Sequence, residues 1–175
     1  MHPISKILVP TDFSEHSALA LTYAADLSKR YSAAVTLLHV YPVVNYAAAE
    51  GFALYTPEQL AKLISQLGEQ LKASEEQARS QGVSDIGSNM LQGDAYQEIL
   101  EQAGGFDLIV MGTHGRTGLR HALMGSVAEK IVRTSPCPVL TVRSPTTAKL
   151  PSPSPSRAMR PTSTCPCTGR SLSSR

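Results

Sequence analysis

Three glycines and a hydroxyl residue in the last third of the chain have a spacing that could hold a phosphate group. Two residues separate Gly112 from Gly115, nine separate Gly115 from Gly125, and Ser126 follows directly. Glycine permits positive φ values and lets backbone N–H groups approach a ligand without a Cβ in the way. The helical pattern that begins near Gly125 would add unpaired N–H donors and the positive end of a helix dipole. Spacing alone leaves two interpretations open: a phosphate-binding loop, and a connecting loop that needs glycine only for tight turns.

A second candidate segment, Pro10-Thr11-Asp12, follows the first apolar run of the chain. In open α/β sheets, ligands bind beyond the carboxyl ends of the strands, where the winding direction reverses. If the strands before the two loops are neighbours, the loops meet in one crevice. There Asp12 could accept hydrogen bonds from a ribose hydroxyl, but a turn or helix-capping role needs no ligand. Both roles fit its position.

These loops must be positioned by a framework in which β-branched runs alternate with amphipathic stretches. Predicted strands cover residues 4–9, 34–41, 83–91, 106–111 and 139–142. Four helices are predicted. The first begins after Ser14 as N-cap, and the second runs from Pro57 to near Gly82. The third runs from a capping box at Asp94 and Gln97 to Gly104, and the fourth covers 126–133. This alternation predicts an α/β fold: a single open five-stranded parallel sheet with helices on both faces.

The charge is unevenly distributed along the chain, whose formal net charge is +2. Residues 1–143 hold 11 Lys and Arg against 14 Asp and Glu, a charge of −3, whereas residues 144–175 hold five basic residues and no acid. The first part therefore lacks the basic field that would indicate nucleic-acid binding. The second part is dense in Ser, Pro and Arg and cannot bury enough apolar surface to offset its ordering entropy. We predict a folded domain over 1–143 and a disordered tail over 144–175.

Composition also excludes several classes of protein. No apolar run reaches the length of a membrane span, about 20 residues, and the first residues lack a secretory signal pattern. Three cysteines, two of them in the tail, do not form a disulfide framework, so a cytoplasmic location is expected. Cys165-Pro166-Cys167 offers too few ligands for a stable zinc site.

The standard nucleotide motifs are missing. The chain has no G-x-x-x-x-G-K-[ST] sequence, so a Walker-type phosphate loop is excluded as the working hypothesis. Its glycines run G-x-x-G-x-x-G after the fourth predicted strand, which also argues against a dinucleotide-binding G-x-G-x-x-G fingerprint.

Both loops and their flanks together resemble the universal stress protein family. The resemblance rests on Pro10-Thr11-Asp12, His39-Val40, Ile109-Val110-Met111-Gly112, the G-T-H-G and G-S ends of the glycine segment, and Ser135-Pro136-Cys137-Pro138-Val139-Leu140. It covers about residues 3–143 and stops at the tail. In that family, G-x-x-G, nine residues, then G-[ST] marks the ATP-binding branch, and the motif is complete here. The resemblance thus implies ATP as the ligand, with Mg²⁺ as a candidate companion bound through phosphate oxygens.

The family fold, which is Rossmann-like, further implies the strand order 3-2-1-4-5 and a set of binding residues. By resemblance, Asp12 contacts ribose, Val40 contacts adenine, and the glycine motif surrounds the ribose and phosphates. The implied cofactor-binding residues are Pro10, Thr11, Asp12, Val40, Met111, Gly112, Gly115, Gly125, Ser126 and Val127. The family also pairs as homodimers through the last strand, here Val139 to Val142, which would be an exposed apolar edge in a monomer.

No catalytic residue and no metal-ligand set are assigned from the sequence. His39 lies in a predicted buried strand and is interpreted as a core histidine, whereas His114 lies in the glycine loop and could touch phosphate. Arg116 and Arg120 are close enough in sequence to reach phosphate, but we do not include them, because exposed arginines are common.

Three functions are therefore compared. The leading hypothesis is a cytoplasmic, dimeric, ATP-binding stress-response regulator whose nucleotide state alters its dimer or its partners. One alternative is a slow ATPase or autophosphorylating enzyme, and the other is a nucleotide-independent interaction module. The sequence identifies neither the protein partners nor the inducing stress, and it does not rank ATP against ADP or AMP.

Overall fold

The computed structural model of this chain describes residues 3–42, 56–115 and 124–143. Within them, five strands and four helices alternate. The strands are β1 (Lys6–Pro10), β2 (Ala34–Tyr41), β3 (Ile86–Gln92), β4 (Leu108–Gly112) and β5 (Val139–Val142). The helices are α1 (Glu15–Tyr31), α2 (Pro57–Ser80), α3 (Ala95–Ala103) and α4 (Ser126–Thr134). The predicted tail over 144–175, residues 43–55, and Arg116 and Arg120 lie outside the described residues.

The strands form one parallel sheet in the order β3-β2-β1-β4-β5. Both the predicted parallel sheet and the strand order implied by the resemblance are confirmed. In the register of the central pair, Ile7 lies opposite Leu108 and Leu8 opposite Ile109. The chain winds outward from β1 to β3 and then returns to place β4 on the other side of β1. The reversal therefore falls between β1 and β4, the strands that precede the two candidate loops.

Alternate side chains of the strands form two separate cores, one on each face of the sheet. Val9, Leu37 and Val110 belong to the core shared with α1 and α2. Leu8 and Ile109 belong to the core shared with α3 and α4. Because both faces are covered, the central strands are nearly continuous apolar runs. Burying each of these aliphatic side chains stabilises the fold by about 1.5–3 kcal/mol.

Local sequence signals account for most helix ends. The Ser14 side chain accepts a hydrogen bond from the backbone of Ser17 at the start of α1. Thr56 forms a capping box before Pro57 at the start of α2, and Asp94 caps α3. These three predicted starts are confirmed. Helix α4 differs, because its N-cap is a glycine and makes no side-chain hydrogen bond.

Several strand boundaries differ from the sequence prediction, and the largest difference has a local reason. The third strand begins at Ile86 and not at Val83, because the N–H of Val83 donates to the carbonyl oxygen of Ala78 and closes the end of α2. Gly82 has a φ of 94° there, which fits the predicted helix stop near this residue. The first and fourth strands each begin two residues later and end one residue later than predicted, so Pro10 and Gly112 are the last residues of β1 and β4. Across the three described ranges, no helix has the length and apolar character needed to span a membrane.

Candidate functional site

A pocket of about 310 Å³ lies at the carboxyl ends of β1 and β4. All ten residues predicted from the sequence and the resemblance line this pocket: Pro10, Thr11, Asp12, Val40, Met111, Gly112, Gly115, Gly125, Ser126 and Val127. Seven further residues also line the pocket: His114, whose contact with phosphate the sequence left open, and six that were not predicted, Ser17, Leu38, Ala95, Ile99, Thr113 and Ala128. The volume is at the lower end of the range for small-molecule sites, about 300–1,000 Å³.

The turn between β1 and α1 is held by hydrogen bonds to the neighbouring strand and helix. The N–H of Thr11 donates to the carbonyl oxygen of Leu38 at 2.8 Å, which extends the pairing of β1 with β2. The hydroxyl of Thr11 accepts from the N–H of Phe13 at 3.1 Å and donates to the hydroxyl of Ser17 at 3.2 Å. Ser17 is only 4% exposed and also lines the pocket, so this polar contact joins the turn to the first turn of α1.

Asp12 has a structural role in this turn and also lies against the glycine loop. Its Oδ1 accepts from the backbone N–H of Ser14 at 3.1 Å and from the Ser14 hydroxyl at 2.6 Å. Its Oδ2 lies beside Gly115, where a Cβ added to the glycine would stand 2.7 Å away. The turn role that the sequence left open is therefore present, and it orients the second carboxylate oxygen toward another residue of the pocket lining.

Two of the motif glycines, Gly112 and Gly115, are needed for close approach and not for positive φ. A Cβ on Gly112 would lie 2.9 Å from the Cβ of His16 and 3.0 Å from its carbonyl carbon, so glycine lets β4 end against α1. Gly115 leaves room for the Asp12 carboxylate in the same way. Among the described glycines, only Gly82 has a positive φ. The expected positive-φ turn is therefore wrong for Gly112, Gly115 and Gly125.

The amino end of α4 faces the pocket without a side-chain cap. The N–H of Gly125 donates to the carbonyl oxygen of Thr113 at 2.7 Å, which fixes the start of the helix beside β4. Ser126, Val127 and Ala128 follow and line the pocket. The first N–H groups of a helix have no acceptor within the helix. Together with the helix dipole, they make this end of the pocket suitable for an anion.

Apolar side chains form the opposite part of the lining. Leu38 and Val40 come from β2, and Met111, which is 6% exposed, comes from β4. Ala95 and Ile99 come from α3 and complete a slot that could enclose a flat ring. The α3 residues were missed, although their four-residue separation indicates one helix face.

Two histidines near the pocket have different surroundings. His39 is 7% exposed and its Nδ1 lies 2.8 Å from the carbonyl oxygen of Thr11, in agreement with a core histidine. His114 lines the pocket, its Nδ1 lies 3.0 Å from the Thr113 hydroxyl, and its ring centroid lies 5.6 Å from that of His16. In the part of the chain that the structure describes, no group of three or more His, Cys, Asp or Glu residues could hold a metal ion.

Comparison with known proteins places this geometry in a family. The profile of the universal stress protein family matches residues 3–143. The chain is 39% identical to universal stress protein MJ0531 of Methanocaldococcus jannaschii over 145 residues, which cover 80% of this chain and 82% of that protein. It is 35% identical to universal stress protein YxiE of Bacillus subtilis over 148 residues, which cover 79% of this chain and 99% of that protein.

Solved structures agree with this assignment. The structure of MJ0577, a universal stress protein of M. jannaschii, aligns with a TM-score of 0.70 and 31% identity, covering 82% of this chain and 98% of that one. A universal stress protein solved in complex with cAMP aligns with a TM-score of 0.61 at 22% identity, covering 82% and 99% of the two chains, and shares the fold. Another from Archaeoglobus fulgidus, in complex with dAMP, aligns with a TM-score of 0.57 at 19% identity, covering 81% and 98%. The chain belongs to the universal stress protein family.

Proposed function

We propose that the pocket binds an adenine nucleotide, with ATP as the form that the complete glycine motif implies. One observation carries this proposal: ten residues selected from four separate segments of the sequence line the same pocket. That pocket joins an apolar slot, a carboxylate and the uncapped amino end of a helix, which are the three environments that a base, a ribose and a phosphate chain require. The adenine complexes solved for two distant members of the family agree with this class of ligand.

Each part of the nucleotide has a matching part of the lining. Val40 and the apolar side chains around it would pack against the adenine ring. Asp12, held by Ser14, would accept a hydrogen bond from a ribose hydroxyl through Oδ2. Gly115 and the first turn of α4 would surround the phosphates. Mg²⁺, where present, would bind chiefly through phosphate oxygens, because Asp12 is the one carboxylate among the described lining residues.

The chain would act as a cytoplasmic regulator whose nucleotide state alters its dimer or its partner contacts. Strand β5 is the end of the sheet, so one of its edges has no neighbour within the order β3-β2-β1-β4-β5. Leu140 on this strand is 38% exposed. An exposed apolar edge strand is a site for pairing with another chain. A homodimer formed through Val139 to Val142 would cover it.

A substitution at the start of α4 tests the nucleotide site without weakening the helix. Ser126→Asp places a negative charge in the first helical turn, where it interacts favourably with the dipole by about 0.3–1 kcal/mol. The same charge would repel a phosphate group at about 4 Å by ~2–4 kcal/mol at an effective dielectric constant of about 20–40. We expect ATP affinity to fall by about 30- to 1000-fold, while the melting temperature stays the same or rises.

Gln59→Glu is the matched control. It adds one negative charge to the first turn of α2, retains the capping bond to the N–H of Thr56, and lies outside the pocket lining. Both variants and the wild-type chain would be tested by titration calorimetry with ATP, and nucleotide released by acid from fresh preparations would be identified by chromatography. Unchanged binding in Ser126→Asp, or no binding in the wild-type chain, would overturn the proposal.

The same preparations distinguish the two alternative functions. A slow ATPase or autophosphorylating enzyme would form ADP or phosphoprotein in proportion to its concentration and would lose this activity in Asp12→Ala. No product above a contaminant control would remove that alternative. If the wild-type chain releases no nucleotide on acid treatment and binds none when ATP is added, it would instead act as a nucleotide-independent interaction module.

A further inference from the structure

We propose that His39, which lies outside the pocket lining, is a positioning residue that holds Asp12 in its ligand-binding direction. The inference depends on the proposed nucleotide site and adds a residue to it. His39 lies on β2 between Leu38 and Val40, both of which line the pocket. Because successive side chains of a strand point to opposite faces, His39 points away from the ligand and beneath the turn that joins β1 to α1.

The first contact is a hydrogen bond to the backbone next to Asp12. The Nδ1 of His39 lies 2.8 Å from the carbonyl oxygen of Thr11. A carbonyl oxygen can only accept, so Nδ1 carries the proton and donates it. This bond joins the side chain of β2 directly to the peptide group between Thr11 and Asp12. The neighbouring bond from the Thr11 N–H to the Leu38 carbonyl oxygen holds the other end of the same residue.

The second contact holds the residue on the other side of Asp12. The ring of Phe13 lies 4.4 Å from the ring of His39, centroid to centroid. Phe13 has a φ of 62°, a left-handed conformation that residues other than glycine seldom adopt. Such a conformation persists only where the surrounding contacts determine it. His39 therefore contacts the turn on both sides of Asp12, through a hydrogen bond to Thr11 and a ring contact with Phe13.

This turn determines where the Asp12 carboxylate points. Oδ1 is bound by the N–H and hydroxyl of Ser14, and Oδ2 lies beside Gly115. If the turn opens, the bonds to Ser14 are lost and the carboxylate no longer faces the glycine loop. A site that is competent for only a fraction of the time binds its ligand more weakly by that fraction. Losing one buried hydrogen bond would shift the equilibrium between the closed and the open turn about tenfold toward the open form.

Two variants of nearly the same shape separate the hydrogen bond from the volume of the side chain. His39→Asn places an amide N–H donor close to the position of Nδ1, whereas His39→Leu has the same branching and no donor. We expect ATP Kd to rise measurably, by as much as about tenfold, in His39→Leu, and the Asn variant to bind more tightly than the Leu variant. Chemical denaturation of both variants would establish that each is folded under the binding conditions.

Amide hydrogen exchange gives a readout that needs no nucleotide. The N–H of Phe13 donates to the Thr11 hydroxyl and that of Ser14 donates to Asp12, so their exchange reports closure of the turn. We expect exchange at these two amides to be at least about tenfold faster in His39→Leu, with protection restored in His39→Asn, and unchanged protection in the centre of β2.

The outcomes separate this proposal from the proposed function. If the wild-type chain binds no adenine nucleotide, the proposed function fails, and with it the ligand-directing role of His39. If the wild-type chain binds ATP and the folded His39→Leu variant binds it equally well, only the positioning role is overturned. Equal weakening and equal exchange in the Leu and Asn variants would also overturn it, because the hydrogen bond would then have no effect.

Discussion

Replacing Gly115 and Gly112 with alanine one at a time should produce two different phenotypes, one in ligand binding and one in stability. A phosphate-loop interpretation would instead expect the same phenotype from both. In Gly115→Ala, the new Cβ would lie 2.7 Å from the Oδ2 of Asp12, whereas ordinary contacts begin at 3.4 Å. The carboxylate must therefore move by about 0.7 Å. Because its Oδ1 is held by Ser14, this movement turns Oδ2 away from its position beside the glycine loop.

The expected cost of Gly115→Ala is in binding and not in stability. A hydrogen bond to a charged group contributes about 1.5–3 kcal/mol, so ATP affinity should fall by roughly 10- to 150-fold. Gly115 is exposed and has no positive φ, so alanine fits its backbone. Alanine also reduces the freedom of the unfolded chain, and the free energy of unfolding should change by less than about 1 kcal/mol.

Gly112→Ala should instead destabilise the fold. Its Cβ would lie 2.9–3.1 Å from three atoms of His16, two of which belong to the backbone and cannot rotate away. Helix α1 would have to move away from β4. Overpacking of this kind costs about 1–3 kcal/mol, or about 2–12 °C in melting temperature for a domain of this size.

Gly104→Ala is the matched control, because no atom lies within 4 Å of the added Cβ. The three variants and the wild-type chain would be compared by urea denaturation and by calorimetric titration with ATP. Full ATP affinity in Gly115→Ala would refute the assignment of Asp12 as a ligand contact. A fully stable Gly112→Ala variant would refute the steric argument for that glycine.

Four further predictions test the helices, the tail and the edge strand. Asp94→Ala should lower the free energy of unfolding by about 1 kcal/mol in urea, because the N–H groups of Tyr96 and Gln97 lose their acceptor; no change would contradict the cap. The side chain of Lys29 lies 2.9 Å from Asp26 and lowers the pKa of that carboxyl. The small contribution of this ion pair to stability should therefore be present above the unfolded-state pKa of Asp26. It should be lost as the pH falls through the folded-state pKa of Asp26. NMR titration should show the pKa rising toward its ordinary value in Lys29→Gln, and an unchanged pKa would exclude the ion pair as the cause. Deletion of residues 144–175 should leave the melting temperature nearly unchanged, and a large loss would mean that the tail packs on the domain. Leu140→Lys should convert the expected dimer to a monomer in sedimentation, because the charge disrupts pairing along β5. A wild-type chain that is already a monomer would contradict pairing through this strand.

The elements of this fold could be predicted from the sequence because their signals are local. The strand over 34–41 was predicted with its observed bounds, since its apolar run requires burial on both faces. Ser14 and Asp94, which were predicted as caps, each satisfy N–H groups within their own helix, so capping residues can be recognised without tertiary contacts. The two candidate loops followed from the strand ends, and the family resemblance then added the strand order that joins them.

Only the tertiary structure decided what each loop contacts. Periodicity shows which residues are buried but not what they pack against, so the α3 residues of the pocket, Ala95 and Ile99, were missed. Gly112 and Gly115 were expected to permit positive φ angles, but they provide room for His16 and Asp12, which lie far earlier in the sequence. His39 was interpreted as a core residue, and its hydrogen bond to Thr11 exists only because β1 and β2 pair. Contacts between residues this far apart in sequence depend on how the strands and helices pack together, which no local pattern records.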